Sequence, residues 1–134
     1  MEKRFELIAS SEVLSPLRRE LRELFGQAGW DKKTVEEVLL AVDEALTNVI
    51  RHAYKGNPGK MTVDVAVSSD KIEIVLEDHG EKFDPTQVPP PELPRQKPGG
   101  LGVHFIRTIM DQMVYDDKDP AVNRLHLIKH KAKI

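Results

Sequence analysis

The 134-residue sequence contains no cysteine, so it offers neither a disulfide framework nor a thiolate metal site. It also lacks any apolar run near the roughly 20 residues that a membrane-spanning helix needs. Its N-terminus, MEKRFELIASSE, carries acidic residues and no apolar signal-peptide core. These absences predict a soluble, cytoplasmic protein with no membrane partner.

Neither basic nor acidic residues are in large excess. The chain has 20 basic and 22 acidic residues, a formal net charge of -2 at pH 7, and no polycationic run. Because binding to nucleic acid through counterion release depends on a basic surface, direct nucleic-acid binding is not expected. The length fits a single domain covering residues 1–134, and no internal repeat is visible.

The longest continuous helical pattern covers residues 33–54, KTVEEVLLAVDEALTNVIRHAY. At about 100° per residue its apolar positions form one stripe, as in a helix that faces a core. Glu44 and Asn48 lie one turn apart on the other side. Asn is a mediocre helix former, so its amide oxygen suggests a ligand such as Mg2+, and the Glu44 carboxylate could accept a proton from an attacking hydroxyl. A solvated helix face is the alternative interpretation. The predicted core stripe comprises Val35, Val38, Leu39, Val42, Leu46, Val49, Ile50 and Ala53.

Strands and helices are predicted on both sides of this helix from the period of their apolar residues. Ser15, followed by proline, is the expected cap of an earlier helix that Gly29 ends. A later helix is expected from Val103 onward. Strands are predicted at residues 3–9, 61–67, 72–77, 113–115 and 124–129.

A proline-rich loop follows the predicted hairpin, with six of the nine prolines between Pro85 and Pro98. Such a stretch cannot be a regular helix or a central strand, and loops of this length are commonly lids or binding loops. It ends in Gly-Gly-Leu-Gly at residues 99–102, where a helix begins. Backbone N–H groups at a glycine-rich helix start favour an anion, which suggests phosphate; an ordinary tight turn is the alternative.

Three motifs in a fixed order carry a specific resemblance. EALTNVIRHAY begins at Glu44, a strand ends in Asp-His-Gly at residues 78–80, and Gly-Gly-Leu-Gly opens a helix at residues 99–102. Together they resemble the motifs of the GHKL ATPase superfamily, the Bergerat ATP-binding fold, and especially those of the RsbW-type anti-sigma factor serine kinases. The likeness covers about residues 5 to 130. It implies a histidine-kinase-like ATPase domain of the α+β class, a two-layer α/β sandwich with a mixed, mostly antiparallel sheet and helices on one face.

The resemblance implies ATP and Mg2+ as cofactors. It assigns Asn48 to the Mg2+, Glu44 to the catalytic base, and Asp78 to a hydrogen bond from the adenine amino group. His52 is expected to be structural. The other implied nucleotide contacts are Gly80, Lys97, Gly99, Gly100, Leu101 and Gly102, with Arg95 as a further lid cation that could neutralise phosphate charge.

Two departures from the family pattern bear on this site. Lys82 stands where the Asp-x-Gly-x-Gly motif has its second glycine, and Asn123-Arg124 stands where the last strand usually opens with Gly-Thr. The first departure is tolerated by the small RsbW-type kinases, so it points to that subfamily, and ATP binding is still expected. The second implies that a threonine contact near the adenine is missing or replaced by water.

The implied function is that of an ATP-dependent protein serine/threonine kinase and anti-sigma factor. The family's partner-switching cycle implies that it sequesters a sigma factor or binds and phosphorylates a STAS-domain anti-sigma factor antagonist, and that it forms a homodimer. The alternative is a non-catalytic ATP-gated binding module. The chain has neither a P-loop nor the HRD and DFG signatures of eukaryote-type kinases.

Overall fold

The computed structural model describes residues 1–89 and 101–132 of the chain. The strands are β1 Glu2–Ile8, β2 Lys60–Val67, β3 Lys71–Asp78, β4 Gln112–Asp116 and β5 Asn123–His130. The helices are α1 Leu14–Gln27, α2 Lys32–Asn48 and α3 Leu101–Ile109. Short 3-10 turns cover Ser11–Val13 and Pro85–Gln87, and a π-helical turn covers Val49–Ala53.

The five strands form one sheet in the order β1-β2-β3-β5-β4, and all four neighbouring pairs are antiparallel. Buried residues alternate with more exposed ones along β2 and β3, because successive side chains of a strand point to opposite faces. The buried side chains of all three helices join those of the sheet in one core cluster. The predicted α+β class is therefore confirmed. The largest fully buried side chains are those of Phe25, Leu21, Leu39, Leu46, Ile72, Ile74, Ile106 and Leu127.

The start of the first helix differs from the prediction. Ser15 does not cap α1, whose N-cap is Val13 without a side-chain hydrogen bond. Ser10 caps the preceding 3-10 turn instead: its Oγ accepts a hydrogen bond of 3.1 Å from Glu12 N, and the turn leads directly into α1. Pro16 then lies in the first turn, where its missing N–H costs no helical hydrogen bond. Gly29, at φ 92°, follows the end of α1 as predicted, since glycine adopts a positive φ without steric cost.

The central helix changes character at Asn48, whereas the sequence predicts one continuous helix over residues 33–54. Beyond Asn48 the chain forms the π-helical turn, in which Tyr54 N donates to the backbone oxygen of Val49, five residues earlier, at 3.0 Å. Such turns are rare and are frequently found at functional sites. The candidate ligand Asn48 therefore lies at a junction between two kinds of helix.

The third helix packs against α2, and its first turn lies beside the last part of α2. No helix in the described ranges is long and apolar enough to cross a membrane. The packing of α3 on α2 brings two of the predicted site residues, Glu44 and Gly102, together.

Candidate functional site

Glu44 and Gly102 are in direct contact. A Cβ atom added at Gly102 would collide with Oε2 of Glu44 and would lie 3.3 Å from its Cδ. The half-buried Glu44 carboxylate therefore rests against the first turn of α3. The first N–H groups of a helix have no helical partner and favour negative charge. The predicted catalytic acid and one predicted phosphate-binding glycine thus share one site.

Asn48, one helical turn beyond Glu44, has unused hydrogen-bonding capacity. Within residues 1–89 and 101–132, its Nδ2 is the one buried side-chain nitrogen or oxygen that lacks a hydrogen-bond partner. Leaving such a group unpaired costs about 1–3 kcal/mol, so a ligand that engages this amide would relieve the cost. Rotation of the amide can present its oxygen instead, and that oxygen is a suitable ligand for Mg2+.

The metal chemistry of the site matches this arrangement. The described residues contain no group of three or more His, Cys, Asp or Glu side chains that could hold a metal ion. Mg2+ commonly takes only one or two protein oxygens and completes its octahedron with water and nucleotide phosphate. One amide near a helix start, where backbone N–H groups favour negative charge, fits Mg2+ bound together with a nucleotide.

Asp78, the last residue of β3, is a buried carboxylate with one oxygen fixed by the protein. It is 3% exposed, and its Oδ1 accepts hydrogen bonds of 2.9 Å from both Gly80 N and Asn123 Nδ2. None of the residues that the structure describes donates to Oδ2. Burial raises the pKa of Asp78, and the hydrogen bonds from Asn123 and Gly80, with the nearby charges of His79 and Lys82, oppose that rise. Oδ2 is therefore available as an acceptor for a ligand.

Asn123, at the start of β5, is a site residue for which the sequence predicts no role. It pairs with Asp78 across the β3–β5 ladder, and it is buried. At the position where the family pattern has Gly-Thr, its side chain bonds directly to Asp78. An amide at an inward-facing strand position is disfavoured by strand propensity, and this was the signal available in the sequence.

Lys82, the departure from the glycine motif, fastens the segment after β3 to the β4–β5 turn. Its Nζ donates to the backbone oxygens of Val122 at 2.6 Å and Asp119 at 3.1 Å. The ammonium also lies 5.3 Å from the centre of the Tyr115 ring, within cation–π range. Glycine could make none of these contacts, so the lysine here has a structural reason of its own.

Gly80 lies against the end of the π-helical turn. A Cβ at Gly80 would lie 2.5 Å from Ala53 O and 2.8 Å from Ala53 Cβ, and Glu81 N donates to Ala53 O at 2.7 Å. Only glycine permits this approach of the loop to the helix end. The contact also ties Asp78 to the helix that carries Glu44 and Asn48. Contact of Gly80 with a nucleobase stays a prediction.

Substitution by alanine should lower stability at Gly80 but leave it nearly unchanged at Gly102. In Gly80→Ala the methyl group would meet backbone atoms of Ala53, and we expect a loss of about 1–3 kcal/mol in the free energy of unfolding. In Gly102→Ala it would meet only the carboxylate end of a flexible side chain, and helix propensity favours alanine, so we expect a change within about 0.5 kcal/mol. Urea unfolding of both variants measures this. Equal destabilisation of the two variants would contradict the Glu44 contact.

Arg107 of α3, for which the sequence indicated no role, holds residues 85–88, the segment after the Asp-His-Gly motif. Its guanidinium donates to the backbone oxygens of Val88 and Thr86, each at 2.7 Å. His52 is exposed and stacks on Phe83 with ring centroids 4.5 Å apart. Arg107 and this stack together fix residues 83–88 beside α3 and the π-helical turn.

Part of the predicted site lies outside the described residues. Arg95, Lys97, Gly99 and Gly100 belong to this part, as does the side chain of Leu101. Their roles stay predictions. The contacts above link the other predicted site residues through the end of α2, the π-helical turn and the start of α3. These residues are Glu44, Asn48, Asp78, Gly80 and Gly102.

Comparison with known proteins identifies the family of the chain. The histidine kinase-like ATPase domain family matches residues 7–129 of the chain. A serine-protein kinase RsbW of Listeria monocytogenes is 32% identical over 136 residues, which cover 94% of this chain and 87% of the relative. A serine-protein kinase RsbW of Staphylococcus aureus is 33% identical over 132 residues, which cover 90% of this chain and 83% of the relative.

Solved structures show the same fold. The structure of the RsbU and RsbW domains of a Mycobacterium tuberculosis protein matches 97% of this chain with a TM-score of 0.70 at 15% identity, and the match spans 32% of that longer chain. The histidine kinase domain of a blue-light activated histidine kinase from Erythrobacter litoralis matches 89% of this chain and 59% of its own, with a TM-score of 0.55 at 15% identity.

Proposed function

The chain belongs to the histidine kinase-like ATPase domain family, among the RsbW-type serine-protein kinases, and from this premise we propose that it works by partner switching. In one state it transfers the terminal phosphoryl group of ATP to a serine or threonine of a STAS-domain anti-sigma factor antagonist. In the other it binds and sequesters a sigma factor. The observation that carries the proposal is the Glu44 carboxylate seated against the start of α3, one turn from the unpartnered Asn48 amide.

Each of the predicted site residues Asn48, Gly102, Glu44 and Asp78 has a definite task in such a transfer. Asn48 would hold Mg2+, which neutralises charge on the phosphates when it is bound. The start of α3, with the glycine at residue 102, would receive phosphate oxygens. Glu44 beside it would orient the acceptor hydroxyl and accept its proton. Asp78 Oδ2 would accept a hydrogen bond from the amino group of adenine.

Positioning supplies most of the rate acceleration in phosphoryl transfer, because the protein performs little covalent chemistry itself. The packing around the site holds the site residues in fixed positions, as such a mechanism requires. Asn48 and Glu44 share one helix, Gly80 is locked against Ala53, and Arg107 fixes residues 85–88 to α3. A proton acceptor and a phosphate site held by adjoining helices favour transfer over mere binding.

We also propose that the protein is a homodimer. Strand β1 is at one edge of the sheet, with Ile8 50% exposed, beside a groove lined by Phe5, Leu7 and Val13. An edge strand presents unpaired backbone groups to a partner. Sedimentation equilibrium should give twice the chain mass, and a monomer at micromolar concentration would contradict this part of the proposal.

A thermal melt and a transfer assay test the proposed function. Mg-ATP at one hundred times its dissociation constant should stabilise the chain by about 2.7 kcal/mol, and Asn48→Ala should lose most of this gain. Labelled ATP should then mark a STAS-domain protein on serine or threonine. An unshifted melt would refute nucleotide binding. A shifted melt without label on the partner would favour the non-catalytic ATP-gated module.

A further inference from the structure

The side chain of Asn123 uses its full hydrogen-bonding capacity inside the protein. A carboxamide can donate two hydrogen bonds and accept two. Nδ2 donates to Asp78 Oδ1 and to Glu81 O, each at 2.9 Å. Oδ1 accepts from Phe83 N at 3.1 Å and from the hydroxyl of Tyr115. Asn123 therefore joins β3, the segment after it, and β4 at one buried point.

Two donors converge on the same oxygen of Asp78. Gly80 N comes from the same turn as the carboxylate, two residues away, whereas Asn123 Nδ2 comes from the neighbouring strand. The contact of Gly80 with Ala53 holds the turn and its backbone donor in place. Asn123 Nδ2 is the side-chain donor, and it fixes the direction of the carboxylate relative to the neighbouring strand.

We propose that Asn123 is a positioning residue that sets the nucleobase selectivity of this site, by holding Asp78 so that Oδ2 alone faces the base. The inference deepens the proposed function and rests on it. Asn123 itself has no donor or acceptor left for a ligand, so it acts through Asp78. The bond from Asn123 also opposes the rise in the pKa of Asp78 that burial causes, and so favours the charged acceptor form.

The selectivity in question is between two bases that differ along one edge, at the C6 substituent and at N1. Adenine presents an amino group at C6, which donates to a carboxylate oxygen, and an unprotonated N1. Hypoxanthine presents at C6 a carbonyl oxygen, which would face the carboxylate oxygen with no proton between them, and carries its proton on N1. ATP and inosine triphosphate share the phosphates and the sugar. Their affinity ratio therefore reports the base contact alone, and the wild-type chain should prefer ATP by about tenfold or more.

The test is calorimetry of both nucleotides with Mg2+ on the wild-type chain and three variants. The valine of Asn123→Val and the threonine of Asn123→Thr have nearly the same shape, but only threonine has a hydroxyl that can replace the amide as a donor to Asp78. We expect the ATP preference to fall at least fivefold in Asn123→Val and to be restored in part in Asn123→Thr. Tyr115→Phe removes one bond to Asn123 without touching Asp78, so it should leave the ratio unchanged.

The outcomes separate the two proposals. A wild-type chain that binds neither nucleotide overturns the proposed function, and this inference with it. A wild-type chain that prefers ATP, with an Asn123→Val variant that weakens both nucleotides equally, overturns the positioning role alone. Thermal melts show whether each variant is folded. If Asn123→Val does not fold, Asn123→Ala replaces it, because it also removes the donor to Asp78 and leaves space for water at the polar groups that Asn123 bonds now.

Discussion

Replacing Asp78 with asparagine should remove most of the affinity for ATP and leave the fold intact. The two groups have the same shape, and Gly80 N and Asn123 Nδ2 both donate to Oδ1, which stays an acceptor in the variant. Oδ2 becomes an amino group that opposes the amino group of adenine. We expect a loss of about 1–3 kcal/mol in binding free energy, or about 5- to 150-fold in Kd, measured by calorimetry. Inosine triphosphate, which presents an acceptor, should lose less or gain.

The same variant has a defined effect on the pH dependence of stability. Because burial raises the pKa of Asp78 above its ordinary value of 3.8, the folded chain holds this proton more tightly than the unfolded chain. The contribution of the group to stability is fully present below pH 3.8 and is lost as pH rises through the folded pKa. The Asp78→Asn variant has no titrating carboxyl group at this position, so its stability does not fall in this way as pH rises. Relative to the wild type, the variant should therefore gain stability from pH 3.8 upward to the raised pKa.

Urea unfolding of both proteins between pH 3.5 and about 7 measures this difference, in which the other titrating groups cancel. At neutral pH the variant should be at least as stable as the wild type. Unchanged ATP affinity in a folded variant would remove Asp78 from contact with the base. A large loss of stability at neutral pH would show instead that the charge of the carboxylate is needed to hold Gly80 and Asn123.

Periodic patterns in the sequence predict the framework of this protein because burial repeats at the period of each element. The stripe of the central helix is buried at Val38, Leu39, Val42 and Leu46, and the hairpin of β2 and β3 is paired where alternation places it. Each of these features depends on residues close together in the chain. The α+β class follows from their order and from the family motifs.

Long-range contacts are the part that periodicity does not reveal. Asn123 and Asp78 are 45 residues apart, and Lys82 and Val122 are 40 apart. The meaning of these two departures from the family pattern appears only when the antiparallel sheet sets Asn123 opposite Asp78. The π-helical turn also leaves no periodic signal, because a single widened turn shifts the pattern by only one residue. Local capping was misassigned for a different reason, since both serines are good caps by residue type, and the sequence does not show that a 3-10 turn capped by Ser10 precedes α1.

Glu44→Gln should abolish most phosphoryl transfer while ATP stays bound. Glutamine can fill the space beside Gly102 that the carboxylate fills now, but it cannot accept the proton of an attacking hydroxyl. Loss of a general base lowers the rate by about 10²- to 10⁴-fold. The variant also removes a negative charge beside the start of α3, where phosphate would bind, so the Kd of ATP should be unchanged or lower. Initial rates with labelled ATP and calorimetry measure the two effects separately.

Glu37→Gln is the matched control, because Glu37 lies on the same helix two turns earlier. The described residues give it no ion pair and no hydrogen bond from a side chain, so its loss should change neither rate nor affinity. Rates that fall equally in both variants would mean that helix charge in general, rather than the carboxylate beside Gly102, supports transfer. Full activity in Glu44→Gln would show that this carboxylate does not take the proton. The contact with Gly102 would then be a helix-start interaction of the ordinary kind, worth about 0.3–1 kcal/mol of stability.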